Sequence, residues 1–217
     1  MPDIYNYMII MISLYKDNIF KKYLMQAVWI FCGFWVVGVV AGYFAPHNLT
    51  SVAVNYVMVG SASAKIIHIA DDSFAKVLLY FINNSIVALM FVIVPSIYYK
   101  QIGDNPEGKR RIEPIWISRF MIMLQTVLIA VVIGYAIPLI NNNLLIVTSL
   151  LPHGIIEIPA FLIASALGAW FVAETYPRIE IGYKGLVKLF VIYVLPTLFI
   201  AAILEAYLTP YLIGLII

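Results

Sequence analysis

Charge is what this chain lacks most. Only 11% of its 217 residues are Asp, Glu, Lys or Arg, against 64% hydrophobic, whereas a soluble globular domain carries about 25% charged residues. A chain so poor in charge cannot cover a globule with polar surface, so most of it must face lipid or other buried helices. It reads as an integral membrane protein. Cysteine is nearly missing too. Cys32 stands alone, which excludes an intrachain disulfide and a cysteine-based metal cluster and leaves it as a small packing residue. The formal net charge of +2 is too small to suggest a nucleic-acid partner. No low-complexity tract and no internal repeat is visible, and five spans do not divide into the matched halves that inverted-repeat transporters need.

What the chain has in abundance is long apolar runs. A helix needs about 20 apolar residues to cross a bilayer, and five stretches qualify: Tyr23 to Phe44, Val77 to Tyr98, Phe120 to Ile140, Leu151 to Val172 and Val187 to Leu208. The fold class is therefore all-α, a polytopic transmembrane helical bundle of about five spans. The first run is too long and too poorly flanked for a cleavable signal peptide and should remain as an anchor. Residues 1–22 mix Ile, Met and Tyr with Lys16, Asp17, Lys21 and Lys22, the pattern of an amphipathic helix lying in the interface. Residues 23–217 form the five-span domain, with an outer loop at about 45–76. That loop holds the sequon Asn48-Leu49-Thr50, and His47 and His68, whose separation matches no metal-ligand spacing.

Orientation follows from the basic residues. Lys16, Lys21, Lys22, Lys100, Lys109, Arg110, Arg111, Arg119, Arg178, Lys184 and Lys188 fall on one side, eleven of the thirteen. Lys65 and Lys76 fall on the other. The expected placement is a cytoplasmic (cell) membrane, with the N-terminus cytoplasmic and the C-terminus outside.

Polar residues within the spans are the candidates for function, because lipid solvates them poorly. Span two carries Asn83 and Asn84 in YFINNSIVALMFV, where amides can also simply bond helix to helix. Span four opens with Pro152, which suits the first turn of a helix and places that start at the outer surface. His153 and Glu157 follow, four apart and so on one face, with Pro159 in the next turn. Ala160, Ala164 and Gly168 then make a small-residue stripe for close packing. Span five has Pro196 near its middle and Glu205 one turn from its outer end. All five candidates fall in the outer part of the membrane, which argues for one shared cluster: His153, Glu157, Asn83, Asn84 and Glu205. No cofactor is implied beyond a bound cation, for which His153, Glu157 and Glu205 are the candidate ligands. A fully hydrogen-bonded structural knot is the competing reading. In span one Gly38 and Gly42 form a GxxxG pair that supports helix association or a homodimer.

Enzyme signatures are missing. His153 and Glu157 give HxxxE, without the adjacent glutamate and second histidine of a zinc protease. Ser165 lies three turns from His153, too far to act with it.

Three segments resemble the stage II sporulation protein M family of multi-pass membrane proteins: FINNSIVALMF in span two, LPHGIIEIPAFLIASALG in span four and AAILEAYLTP in span five. The resemblance covers essentially the whole membrane domain, in the family order, and the family's characteristic polar residues match Asn83, Asn84, His153, Glu157 and Glu205. It implies a membrane partner of the kind that helps localise cell-wall hydrolases during engulfment, although similar proteins occur in organisms that make no spores. The expected function is a non-enzymatic scaffold or partner-binding component of envelope or membrane remodelling, working with the lipid bilayer and a membrane or envelope protein. The alternative is a cation or proton channel or transporter that uses the cluster.

Overall fold

The computed structural model describes residues 18–45, 73–102, 112–138, 143–175 and 183–216. Residues 1–17 of the expected interfacial helix, the sequon, His47, His68 and the Lys109 to Arg111 run lie outside them, while residues 18–22 of that expected helix open the first spanning helix. The described residues are helical. This is what lipid imposes: with no water to bond backbone N–H and C=O groups, each must be satisfied within its own segment. In chain order the helices are α1 (Asn18–Tyr43), α2 (Ser73–Ile102), α3 (Ile112–Ala136), α4 (Asn143–Trp170) and α5 (Tyr183–Ile203). A π-helical turn, Phe171–Thr175, extends α4, and a second, Leu204–Leu208, joins α5 to a short α6 (Thr209–Gly214).

Five membrane-crossing segments result, and two of them are longer than the sequence predicts. The fourth runs from Leu144 to Ala173 and the fifth from Tyr183 to Gly214, 30 and 32 residues. Pro152 is therefore not the start of its helix. It and Pro159 both lie inside α4, as Pro95 does in α2 and Pro196 in α5. Proline in a membrane helix is tolerated because neighbouring helices take up the carbonyl that its missing N–H abandons. Pro95 shows how. It frees the carbonyl of Phe91 four residues earlier, and Gly168 of α4 closes backbone to backbone on that oxygen, where a Cβ would collide.

At the centre stands α4. Of its apolar window 67% is buried, against 11% for α1. The small-residue stripe explains this: Ala160 and Ala164 are fully buried and, with Leu167 and Trp170, pack against Ala88, Phe91 and Val92 of α2 and against Leu186, Leu189, Val194 and Leu198 of α5. On the other flank Ser118 of α3 donates to the carbonyl of Ser165, 3.0 Å away, and pairs with its hydroxyl at 3.1 Å.

The outer helix α1 lies along α3. Gly38 and Gly42 face Val127, Ala130 and Val131 of α3, while Gly134 of α3 meets the backbone of Val39 in return. The GxxxG pair is thus used inside the chain, and it no longer supplies an argument for a homodimer. Arg119 anchors the same pair of helices near one end by donating to Gln26 Oε1, 2.5 Å away, with its guanidinium 5.0 Å from the Trp116 ring.

Candidate functional site

His153 and Glu157 share one face of α4, and the face they share looks toward the end of α5. Glu205 meets them there. One ligand atom from each of the three lies within 4.8 Å of the others, and all three side chains are half-buried. The helices bring them to one depth. His153 is nine residues past Leu144 and Glu205 nine residues before Gly214, so each lies about 14 Å from that end of its segment at 1.5 Å per residue. Glu205 is therefore deeper than one turn from its end, because the helix continues past Leu208 through the π-turn and α6.

The π-turn has a local cause. Pro210 lacks an N–H, and its ring would clash with the carbonyl of Ala206 in a regular α-helix. The preceding turn widens instead: the N–H of Thr209 reaches back five residues to the carbonyl of Leu204. Such bulges re-aim side chains and recur at functional sites. Here the widened turn carries Glu205. Thr209 itself is buried and belongs to the cluster, with its hydroxyl 3.4 Å from His153 Nδ1 and 3.3 Å from the carbonyl of Leu204. A carbonyl only accepts, so Thr209 donates to Leu204 and accepts from His153. That makes Nδ1 the protonated ring nitrogen and leaves Nε2 with a free lone pair.

The two asparagines are placed differently. Asn84 is buried and Asn83 exposed on the lipid side of α2, and Asn83 Nδ2 donates to Asn84 Oδ1 at 3.1 Å. Among the described residues no hydrogen bond ties either to the three ionisable groups. Asn83 points away from the cluster, whereas Asn84 shares the buried face of α2 with Val77, Tyr80 and Ala88. One turn before Asn84 on the same helix, Tyr80 packs beside Val77, Ala202 and Ala206.

On its other side the cluster opens into a cavity of about 120 Å³ between α1, α3 and α4. That is about four times the volume of a water molecule in the liquid. Phe31, Trp35, Phe91 and Phe161 supply much of its wall, and Gln125 and Thr126 of α3 face His153 and Glu157 across it. Thr126 spends its hydroxyl on the carbonyl of Ile122, at 2.6 Å. Gln125 was missed in the sequence, although an amide at membrane depth is the same signal that marked Asn83. Thr209 was missed as well; it lies four residues after Glu205 and so on the same helical face in a regular helix. Ser165 faces Ser118, well away from the cluster.

A family model described as stage II sporulation protein M matches residues 31–210, from the middle of α1 to the start of α6. The chain belongs to this family. It is a multi-pass membrane protein of the stage II sporulation protein M type, and the matched region contains every residue of the cluster and the cavity. No curated protein and no solved structure matches the chain.

Proposed function

We propose that this member of the family is a non-enzymatic membrane component that acts by binding, holding a partner protein of the envelope through the largely apolar recess beside its polar cluster. One observation carries the reading: His153, Glu157 and Glu205 converge beside a cavity walled mainly by aromatic and aliphatic side chains. A concave apolar site with a few convergent polar groups is the usual form of a ligand pocket. An intramembrane carboxylate pair with an imidazole is suited to a polar or cationic group presented by a neighbouring helix. The family supplies the rest, since the resemblance points to a membrane partner of cell-wall hydrolases. In this reading the protein sits in the cell membrane with its N-terminus cytoplasmic, which the eleven basic residues on that side support.

The test pairs capture with flux. A photo-crosslinking residue in place of Ile155, which is exposed and lies between His153 and Glu157 on α4, should trap one partner in native membranes, and Glu157→Gln should abolish the crosslink. Purified protein in liposomes should pass no ions. Ion-selective flux that Glu157→Gln removes would replace the binding reading with cation or proton translocation by the same cluster.

A further inference from the structure

The geometry points to His153, Glu157 and Glu205 as ligands of a single divalent first-row metal ion of the zinc class, held inside the membrane between α4 and the π-turn after α5. The donor set is one imidazole nitrogen and two carboxylates from two separate helices. Three atoms no more than 4.8 Å apart can all be reached from one point at about 2.8 Å. Zinc bonds to such nitrogen and oxygen donors are about 2.0–2.2 Å, so a contraction of less than about 1 Å, within the swing of two glutamate side chains, completes the site.

A separate observation fits the histidine to a ligand's role. Metal-binding imidazoles almost always donate their second N–H to a fixed acceptor, which sets the tautomer and ring orientation. The Thr209 hydroxyl fills that role here: it is buried, committed as donor to the Leu204 carbonyl, and accepts from His153 Nδ1. Nε2 is left bare for a metal. The acceptor is itself a product of the π-turn that turns Glu205 inward, so one local distortion prepares two of the three ligands. Among the described residues neither glutamate has a hydrogen-bond or ion-pair partner, and a divalent cation would neutralise both charges where lipid cannot solvate them.

Chemistry selects the metal class. Magnesium and calcium take all-oxygen shells, and copper(I) takes sulfur, whereas imidazole with carboxylate suits zinc and its neighbours. Three protein ligands leave a fourth position for water or a partner's donor. The metal site is independent of the partner reading, because a metal can bind with no partner captured and a partner can dock with no metal.

The experiment uses the full chain in nanodiscs, stripped with a chelator, dialysed against Zn²⁺ alone and analysed for metal by mass spectrometry and titration calorimetry. The expected result is about one zinc per chain, undisturbed by excess Mg²⁺ or Ca²⁺. Co²⁺ should enter the same site with visible absorption bands of a low-symmetry four- or five-coordinate ion. Glu157→Gln, Glu205→Gln and His153→Ala should each weaken binding by at least about 100-fold, and Thr209→Val by about 10- to 100-fold. Asn83→Ala, on the lipid side, should leave it unchanged. The near-isosteric Gln variants and Thr209→Val guard against loss of folding, which gel filtration checks. The inference is overturned if folded protein takes up no zinc, if the Glu157→Gln, Glu205→Gln double variant keeps it, or if Mg²⁺ or Ca²⁺ at equal concentration displaces it.

Discussion

Glycine-to-alanine exchanges along α1, with Gly154 of α4 as a control, separate two uses of the GxxxG pair, packing within the chain and pairing between chains. The structure grades them. A Cβ at Gly42 would fall on the Val131 carbonyl, one at Gly38 would stand 2.6 Å from the Ala130 Cβ, one at Gly154 would touch only the tip of Ile158 at 3.9 Å, and one at Gly33 would meet nothing. At Gly42 the obstacle is backbone, so the two helices themselves must part. Overpacking of this kind costs about 1–3 kcal/mol, and for a chain of this size 1 kcal/mol lowers Tm by about 2–4 °C. Gly42→Ala should therefore lower Tm by about 2–12 °C. Gly38→Ala should fall between, because its obstacles, the Ala130 Cβ at 2.6 Å and the Val127 carbonyl at 3.2 Å, are also fixed to α3 but stand farther off. Gly33→Ala and Gly154→Ala should stay at the wild-type value or slightly above, alanine being the better helix former. The assay is thermal unfolding in detergent, followed by tryptophan emission from Trp29 and Trp35 on α1, with gel filtration for molecular mass. Equal Tm values across the series, or a dimer that dissociates in Gly42→Ala while monomer stability is unchanged, would refute the α1–α3 packing.

Ser118→Ala should cost about 1–2 kcal/mol of stability, because it deletes a buried bond to the backbone of α4, and chemical denaturation would read it. Ser165→Ala should cost less, since Ser118 keeps the carbonyl, and the double variant should fall short of the sum of the two. Pro210→Ala restores an N–H for the Ala206 carbonyl and removes the ring that widens the helix. The π-turn at Leu204–Leu208 should then relax toward α-helix and carry Glu205 away from His153, seen as faster hydrogen exchange at the π-turn and as loss of the Thr209–His153 bond in the histidine ¹⁵N shifts. For topology, single cysteines at Lys184 and Ile216 should be labelled by a membrane-impermeant reagent from opposite faces, the one at Ile216 from outside. Labelling of both from one side would contradict the fifth crossing.

The five crossings were legible because hydropathy over about 20 residues is a property that sequence states directly. The ends of the fourth and fifth were not. Proline at a helix start is a preference learned in water, where an abandoned carbonyl or a kink ends a helix. Inside a bundle Gly168 covers the carbonyl freed by Pro95, and α4 runs through Pro152 and Pro159 unbroken. The cluster was legible in the same partial way. His153 and Glu157 meet because a spacing of four fixes direction as well as depth, and Glu205 joins them at matching depth. Depth alone does not give direction: at the adjacent pair Asn83 is exposed and Asn84 buried, bonded to each other, because neighbours on one helix point about 100° apart.

Partner docking and metal binding demand different things of this fold. Partner docking needs only that the recess be reachable and carry a few polar groups, and Gln125, His153 and Glu157 around one cavity suffice for it. A metal needs three donors at bonding distance at once, and so depends on the aim of Glu205, which the packing of α5 on α4 and the π-turn set together. Glu205 belongs to the site because Pro210 widens the helix ahead of it, and Thr209 orients His153 from within the same distortion. If that turn were regular α-helix, the chain would keep its bundle, its cavity and its pair of residues on α4, and would lose the third ligand and the acceptor together. The short segment from Leu204 to Pro210, and not the more conspicuous histidine and glutamate of α4, is therefore what separates a docking recess from a metal centre in this fold.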